Sequence, residues 1–233
     1  LITNPRDFKG FVKELGKWNF TAITGVNTLF NALMNEPGFS ELDFSHLKLT
    51  LGGGMAVQRS VAEKWKEVTG APLIEAYGLT ETSPAACMNP MTSKEFSGNV
   101  GLPISSTIVS IKDDDGNDLA HGEDGEICIK GPQVMQGYYN RPEETDNVMT
   151  SDGYFRTGDI GHMSTDGFVK IVDRKKDMIL VSGFNVYPNE VEDVVSSHPG
   201  VFESAAVGVP EDKSGEAIKV YVVKHDDGLS VDE

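Results

Sequence analysis

The spacing of apolar residues changes near residue 97, and this change limits the folds that the chain can adopt. Before residue 97, helix-like spacing alternates with short apolar segments: residues 8–15 precede "FTAIT", and residues 26–33 precede "LKLTL". "GGGM" then reads as a turn, and a helical stripe over residues 57–68 ends at Gly70, before "PLIEAY". Strands that alternate with helices build parallel sheets. Residues 1–96 are therefore predicted to form part of an α/β subdomain.

The rest of the chain predicts two further regions. Residues 97–172 hold short apolar strands separated by Gly, Asp and Asn, such as "TIVSIKDDDGNDLA" and "GEICIKG", which indicates an antiparallel region rich in hairpins. From residue 173, "DRKKD" and "MILVSGFNVYP" precede a predicted helix that begins at Pro188 and two strands, "ESAAVGV" and "AIKVYVV". The predicted fold class is α/β plus antiparallel β, with a small α+β domain at residues 173–233.

Charge and composition exclude several classes of partner. The net charge of −16 argues against binding to nucleic acid, because such domains carry basic stripes, and any polyanionic ligand must meet local cations. No segment approaches the about 18 consecutive apolar residues of a membrane helix. Cys87 and Cys128 lie far apart without a secretory leader, which favours two buried thiols in a reducing compartment. We therefore expect a cytoplasmic protein that does not bind nucleic acid.

The segment "EAYGLTET" (residues 75–82) follows a predicted parallel strand, where α/β sheets bind their ligands. Tyr77 is suited to stack on a flat base, and Gly78 lets a phosphate approach the backbone. Thr80 offers a hydroxyl to a phosphate, and Glu81 offers the oxygen ligands that Mg²⁺ prefers. Together these groups suit a nucleoside triphosphate. The alternative is a tight turn with a buried tyrosine and exposed carboxylates.

Three other segments favour a nucleotide site, each with a plainer alternative. The triple glycine at residues 52–54 separates a strand from a helix, so that bare backbone can lie against an adenine or a phosphate; otherwise it is an ordinary turn. Asp159, in "FRTGDI", can accept hydrogen bonds from ribose hydroxyls, or it is a turn residue. The cations of "DRKKD" can neutralise a phosphate, or they form a solvated charge run; they are Arg174, Lys175 and Lys176.

Four segments in this order resemble the acyl-adenylate-forming superfamily of acyl-CoA synthetases, luciferases and peptide-synthetase adenylation domains: "EAYGLTE", "GEICIKGPQVMQGYYNRPEET", "YFRTGDI" and "VDRKKDMILVSGFNVYPNEVED". The long run from "TGDIG" to "VEDVV" looks most like bacterial long-chain fatty acid:CoA ligases. The resemblance implies part of a large domain, with a parallel α/β sheet (1–96) and a β-barrel-like subdomain (97–172). A small, incomplete α+β C-terminal domain follows (173–233).

The resemblance also implies which residues bind ATP. Gly53, Gly54 and Met55 would line the adenine, and Glu75, Ala76 and Tyr77 would complete its pocket, with Gly78 beside the nucleotide. The other implied roles agree with those inferred from residue type: Thr80 at the phosphates, Glu81 on Mg²⁺, and Asp159 and Arg174 at the ribose.

The implied reaction has two steps. A long-chain fatty carboxylate attacks the α-phosphate of ATP, and the CoA thiol then displaces AMP from the acyl-adenylate. Asp173 would be the hinge about which the small domain rotates, bringing the loop of Ser182, Gly183 and Phe184 to the active site with Lys176 for the thioester step. Peripheral association with the inner face of the membrane and assembly into homo-oligomers both stay open.

The sequence also departs from the family's pattern. A phosphate loop of the type S-G-T-T-G-x-P-K-G and the C-terminal lysine that serves adenylation are both missing from these 233 residues. We therefore expect an internal fragment of a ligase that forms no adenylate alone. "GVNTLFNAL" is either part of the acyl tunnel or an ordinary core helix, and Ser230 and Glu233 have the spacing of a capping box that would begin a further helix. The alternatives are a ligase for another acid or acceptor and a non-catalytic nucleotide-binding module.

Overall fold

The computed structural model describes residue 4, residues 6–211 and residues 213–224. The described helices are α1 (Phe8–Leu15), α2 (Asn27–Asn35), α3 (Arg59–Thr69), α4 (Pro142–Val148) and α5 (Pro188–Ser196). The strands are β1 (Ala22–Gly25), β2 (Leu49–Gly52), β3 (Leu73–Tyr77), β4 (Cys87–Met88), β5 (Leu102–Pro103), β6 (Ile108–Lys112), β7 (Gly125–Lys130), β8 (Phe155–Met163), β9 (Val169–Arg174), β10 (Ile179–Val181), β11 (Phe184–Val186), β12 (Val201–Glu211) and β13 (Gly215–Lys224). The predicted capping box at Ser230 lies outside the described residues.

The chain divides into two compact units. The first contains Leu1–Ile108, Ile129–Thr145 and Asp166–Lys170, and the second contains Val109–Cys128, Asp146–Thr165 and Ile171–Glu233. The predicted domain boundaries at residues 97 and 173 stay predictions. None of the described helices is long and apolar enough to cross a membrane.

The first unit is built on a five-stranded sheet with the order β1-β2-β3-β4-β5. β1, β2 and β3 are parallel, and β4 and β5 add antiparallel strands at one edge. The core beside this sheet centres on Trp65 of α3, whose ring contacts Phe30 and Phe39 and whose Nε1 donates to Thr50 Oγ1 at 3.2 Å. The apolar stripes predicted for α1, α2 and α3 face this core. The predicted parallel α/β architecture is confirmed.

The second unit holds most of the sheet β6-β7-β8-β9 and all of the antiparallel sheet β11-β10-β13-β12. A buried lysine, Lys112, anchors β6 by ion pairs with Asp118 at 2.8 Å and Asp152 at 3.1 Å. Helix α5 begins at Pro188 as predicted, because proline suits the first turn. It packs on β12, where the Glu192 carboxylate accepts from Ala206 N at 2.8 Å. The predicted combination of α/β and antiparallel β structure is confirmed.

Candidate nucleotide-binding site

Three parallel strands of the first unit end at the same edge of their sheet. Gly25, at the end of β1, pairs with Gly52, at the end of β2, and Gly52 pairs with Glu75 of β3. Gly53 N donates to Gly25 O at 3.1 Å, so the glycine segment continues along this edge. The segments "GGGM" and "EAYGLTET", which are separate in the sequence, therefore meet at the carboxyl ends of parallel strands.

The glycines of this edge have local structural reasons. A Cβ on Gly53 would lie 3.2 Å from Ala76 O, and Gly54 has a φ of +79°, which L side chains rarely adopt. A Cβ on Gly54 would also lie 3.4 Å from Val26 Cγ1, and Met55 is exposed beside it. Bare backbone and an exposed apolar side chain are compatible with a flat base, although both glycines are also explained by their neighbours.

The buried Glu75 carboxylate accepts hydrogen bonds from within the protein. Its Oε2 accepts from Ser97 N at 3.1 Å, from Ser97 Oγ at 2.8 Å and from Asn89 Nδ2 at 3.4 Å. Burial raises the pKa of the Glu75 carboxyl above its ordinary value, and the hydrogen bonds from Ser97 partly oppose that rise. The neighbouring Tyr77 is only 9% exposed, which leaves little of its ring for a base. Glu75 therefore anchors this edge to the Ser97 segment, and any contact of its side chain with adenine would have to share these hydrogen bonds.

The loop after β3 is held by a threonine that sequence analysis did not select. Thr82 is fully buried; its Oγ1 accepts from Leu79 N at 2.9 Å and lies within donating distance of Leu79 O and Pro84 O, at 3.0 and 2.8 Å. A Cβ on Gly78 would lie 1.7 Å from Pro84 O, so packing alone requires glycine there. A hydroxyl three residues after a turn start is the signal that could have found Thr82.

Within the same loop, Thr80 is exposed and Glu81 is half-buried. Glu81 Oε1 accepts from Tyr138 Oη at 2.9 Å, and Glu81 O accepts from Met135 N at 2.8 Å. Burial, and next the Glu81 carboxylate, raise the pKa of the Tyr138 phenol. Tyr138 was also missed, although it lies in the quoted motif "QGYYN". This arrangement leaves Glu81 Oε2 without a hydrogen bond to any described residue.

The Glu81 carboxylate fits one kind of metal site. Among the described residues, no cluster of three or more acidic, histidine or cysteine side chains is arranged to hold a metal ion. Mg²⁺ commonly binds through one or two carboxylates plus the phosphates of a substrate, with water in its other positions. A single carboxylate with one unengaged oxygen is compatible with that mode and not with an all-protein metal cage.

In the second unit, Asp159 and Arg174 lie side by side. Arg174 Nε is 3.5 Å from Asp159 Oδ1, and Asp159 is buried whereas the Arg174 side chain is 58% exposed. Thr157 Oγ1 accepts from Asp159 N at 3.1 Å and donates to Ile127 O of the next strand at 2.8 Å. The structure thus brings together the two residues that the resemblance places at the ribose.

The cations of "DRKKD" divide into different environments. Lys175 Nζ is 2.6 Å from Asp114 Oδ1 and 3.5 Å from Glu126 Oε2, so its charge is already paired within the unit. Lys176 is exposed and makes no hydrogen bond or ion pair with another described residue. Of the two lysines, only Lys176 therefore has its ammonium available to a ligand.

The predicted hinge and loop residues lie in the same unit. Asp173 is buried; its Oδ1 accepts from Arg174 N at 2.7 Å, and its Oδ2 accepts from Asn189 N at 2.9 Å. Ser182 and Gly183 form a tight turn between β10 and β11, with φ of +50° and +84°, the conformation of two-residue hairpins. Phe184 follows with 75% of its surface exposed. The Ser-Gly pair is a hairpin signal in the sequence.

The comparisons with known proteins agree with the proposed resemblance. Residues 2–139 match the family described as AMP-binding enzyme, and residues 190–233 match the AMP-binding enzyme C-terminal domain. The chain is 60% identical to a long-chain-fatty-acid–CoA ligase of Yersinia pestis, over 100% of this chain and 41% of that protein. It is 57% identical to the ligase of the same name from Haemophilus influenzae, also over 100% of this chain and 41% of that protein.

Solved structures agree as well. ATP-bound MatB from Rhodopseudomonas palustris is similar with a TM-score of 0.87 and 33% identity, over 97% of this chain and 44% of that one. The o-succinylbenzoate CoA synthetase MenE from Bacillus subtilis, in complex with the acyl-adenylate intermediate OSB-AMP, has a TM-score of 0.82 and 31% identity, over 94% of this chain and 44% of that one. The chain spans about two fifths of the length of the curated relatives it matches. The predicted resemblance is confirmed: this chain belongs to the AMP-binding enzyme family.

Proposed function

We propose that the protein carrying this sequence is an AMP-forming long-chain fatty acid:CoA ligase. The observation that carries the proposal is that this chain is 60% identical, over 100% of its length, to proteins named long-chain-fatty-acid–CoA ligase. In the first step, a carboxylate oxygen of the fatty acid attacks the α-phosphorus of ATP and pyrophosphate leaves. In the second step, the CoA sulfur attacks the acyl carbon, the bond to AMP breaks, and the thiol proton passes to solvent.

Within the first unit, the loop after β3 serves the phosphates. Thr80 is exposed, and Glu81 presents one unengaged carboxylate oxygen while its other oxygen accepts from Tyr138. Mg²⁺, when bound, would neutralise charge on the phosphates of ATP. The buried Thr82 side chain fixes the loop by its hydrogen bonds with Leu79 and Pro84. These groups are set in place before the reaction, which is how such sites stabilise developing charge.

Within the second unit, Asp159 and Arg174 bind the ribose. A buried carboxylate accepts hydrogen bonds from hydroxyls strongly, because hydrogen bonds to charged groups exceed neutral ones. Arg174, which contacts Asp159 and is largely exposed, lies beside this carboxylate and can donate from its remaining N–H groups. The 3.5 Å separation supports this assignment because the two side chains already share one location.

The thioester step depends on the segment after β9. Asp173 is the hinge about which the small domain rotates, and its buried carboxylate accepts from Asn189 N at the start of α5. The turn at Ser182 and Gly183 projects Phe184 into solvent, as expected for a loop that enters an active site in only one of two states. Lys176, whose ammonium is unpaired among the described residues, supplies a cation to that state. Rotation also excludes water from the mixed anhydride.

The wider setting follows from these proposals. We place the protein in the cytoplasm; peripheral association with the inner face of the membrane and assembly into homo-oligomers stay open. Two free, buried cysteines support a reducing compartment. A ligase for an aromatic acid is the second candidate, since the chain is 37% identical over 207 residues to a feruloyl-CoA synthase of Amycolatopsis. The lower identity makes this the weaker assignment.

Substrate competition tests the proposed function. A full-length protein carrying this sequence is incubated with ATP, Mg²⁺, CoA and equal concentrations of palmitate and ferulate, and the CoA thioesters are measured by mass spectrometry. We expect palmitoyl-CoA in large excess, with AMP formed in equal amount. Predominant feruloyl-CoA would favour the second candidate, and the absence of both thioesters with intact nucleotide binding would favour a non-catalytic nucleotide-binding module.

A further inference from the structure

A buried carboxylate on β7 touches the segment that carries Asp159, and neither the sequence motifs nor the proposed reaction gives it a task. Glu126 is only 7% exposed. Its Oε1 accepts from Gly158 N at 3.1 Å, and its Oε2 is 3.2 Å from Arg156 Nε and 3.5 Å from Lys175 Nζ. One side chain thus binds the residue just before Asp159 and the residue just after Arg174.

Gly158, whose N–H donates to Glu126, has more backbone freedom than a residue with a side chain. Gly158 has a φ of +73°, and a Cβ added there would meet nothing within 4 Å, so its neighbours do not hold it by packing against that position. Its two backbone polar groups hold it instead. Gly158 N donates to Glu126, and Gly158 O accepts from Lys175 N at 2.9 Å. Because a glycine has more backbone conformations than other residues, these two contacts set the direction of the following Asp159.

The Glu126 carboxylate also pairs with two cations, Arg156 and Lys175, from the segments that carry Asp159 and Arg174. Arg156 lies three residues before Asp159, and Lys175 directly follows Arg174. Glu126 draws both toward β7, while Lys175 has a second partner, Asp114, whose side chain is 87% exposed. Asp114 also pairs with Lys175 but has no hydrogen bond to Gly158. A substitution of Asp114 therefore changes the charge pairing of Lys175 without removing the hydrogen bond between Glu126 and Gly158.

We propose that Glu126 is a positioning residue for nucleotide recognition: it fixes the backbone at Gly158 so that Asp159 and Arg174 present the geometry that binds ribose hydroxyls. The inference rests on the proposed function of Asp159 and Arg174. Partners that orient the ligands of a metal ion typically change affinity or activity by about 10- to 100-fold when mutated, and we expect an effect of the same kind here. Glu126 touches no substrate in this scheme and acts only through Gly158 and its neighbours.

The test measures discrimination between sugars. Dissociation constants for ATP and for 2′,3′-dideoxy-ATP are measured by calorimetry on a full-length protein carrying this sequence. We expect wild type to prefer ATP by about tenfold or more, since each hydroxyl bonded to a carboxylate contributes strongly. Asp159→Ala should abolish the preference. Glu126→Gln should reduce it to about two- to threefold, because the amide keeps the shape but no longer holds the two cations and Gly158 together.

Asp114→Asn is the matched control and should keep the wild-type preference, because it removes only the exposed partner of Lys175. A wild type without any preference, or Asp159→Ala that retains it, would defeat the proposed role of Asp159 and this inference with it. If Asp159→Ala abolishes the preference while folded Glu126→Gln keeps it, only the positioning role is refuted. An equal loss in Asp114→Asn would assign the effect to the charge of Lys175 and also refute it.

Glu126→Asp covers the case in which Glu126→Gln does not fold. The aspartate keeps the charge, but it is one methylene shorter and cannot reach Gly158 N and both cations together. We expect a folded protein, checked by its circular dichroism, with a preference between those of wild type and Asp159→Ala. A folded Glu126→Asp with the full wild-type preference would refute the proposal.

Discussion

Thr80 and Thr82 lie in one loop, and replacing each of them by valine should have different effects. Thr82 is fully buried and its hydroxyl serves Leu79 N, Leu79 O and Pro84 O, whereas Thr80 is exposed. Valine has nearly the same shape as threonine, so the substitution removes hydrogen bonds without opening a cavity. Thr82→Val should therefore lower stability, and Thr80→Val should lower activity.

The magnitude follows from the groups left unpaired. In Thr82→Val the Leu79 N–H and the carbonyl that accepts from the Thr82 hydroxyl lose their partner, which is a buried side chain. A buried polar group left unsatisfied costs about 1 to 3 kcal/mol, so two fully buried groups would cost about 2 to 6 kcal/mol. Because these two positions are only half-buried, we expect the lower end, a loss of about 2 kcal/mol in the free energy of unfolding. Substitution of the exposed Thr80 should change stability by less than about 0.5 kcal/mol.

Urea unfolding followed by tryptophan fluorescence reports the stability, because Trp65 lies in the core of the same unit. Steady-state kinetics with ATP and palmitate reports activity. Thr82→Val that is as stable as wild type would show that the buried hydrogen bonds do not hold the loop. Thr80→Val with unchanged kcat/KM for ATP would remove Thr80 from the phosphate contacts.

Three further predictions concern the metal, the ribose and the thiols. Glu81→Gln should remove most Mg²⁺-dependent pyrophosphate exchange while the melting temperature stays within about 2 °C, because the metal needs the charge and the fold does not; unchanged exchange would remove Glu81 from the metal site. Asp159→Ala should weaken ATP binding by about 1.5 to 3 kcal/mol and leave fatty-acid binding unaltered, whereas equal losses in titrations of both ligands would indicate a structural turn residue. Burial raises the pKa of Cys87 to about 12 and that of Cys128 to about 11. Both thiols should therefore stay protonated and react with Ellman's reagent at pH 8 only after unfolding, and fast labelling of the native protein would contradict the burial.

The secondary structure of the first unit could be predicted because its signals are local. Apolar spacing along α2 and α3 and the glycine after α3 are visible within a few residues of sequence, and Gly70 adopts the left-handed conformation expected of a helix end. Pro188 marked the start of α5 for the same reason. Each of these features depends on neighbours along the chain, which a single sequence contains.

The site could be predicted only as a set of segments. Nothing local indicates that Glu75 is bound by Ser97, 22 residues away, or that Tyr138 donates to Glu81, 57 residues away. Lys175 looked equivalent to its neighbours, but its pairing with Asp114 across 61 residues removes it from the cations available to phosphate. Such contacts depend on which segments are adjacent in the fold. The chemical role of a residue type could therefore be predicted from the sequence, but the residues that it contacts could not.

Activation of a long-chain fatty acid as its adenylate is the step that defines the proposed function. Exchange of labelled pyrophosphate into ATP measures that step alone, without CoA. We expect exchange that requires both palmitate and Mg²⁺ in a full-length protein. We expect none from the isolated 233-residue chain, in which the phosphate loop implied by the resemblance is missing. A full-length protein that binds ATP but shows no palmitate-dependent exchange would contradict the proposed fatty-acid activation, and exchange by the isolated chain would contradict the need for that loop.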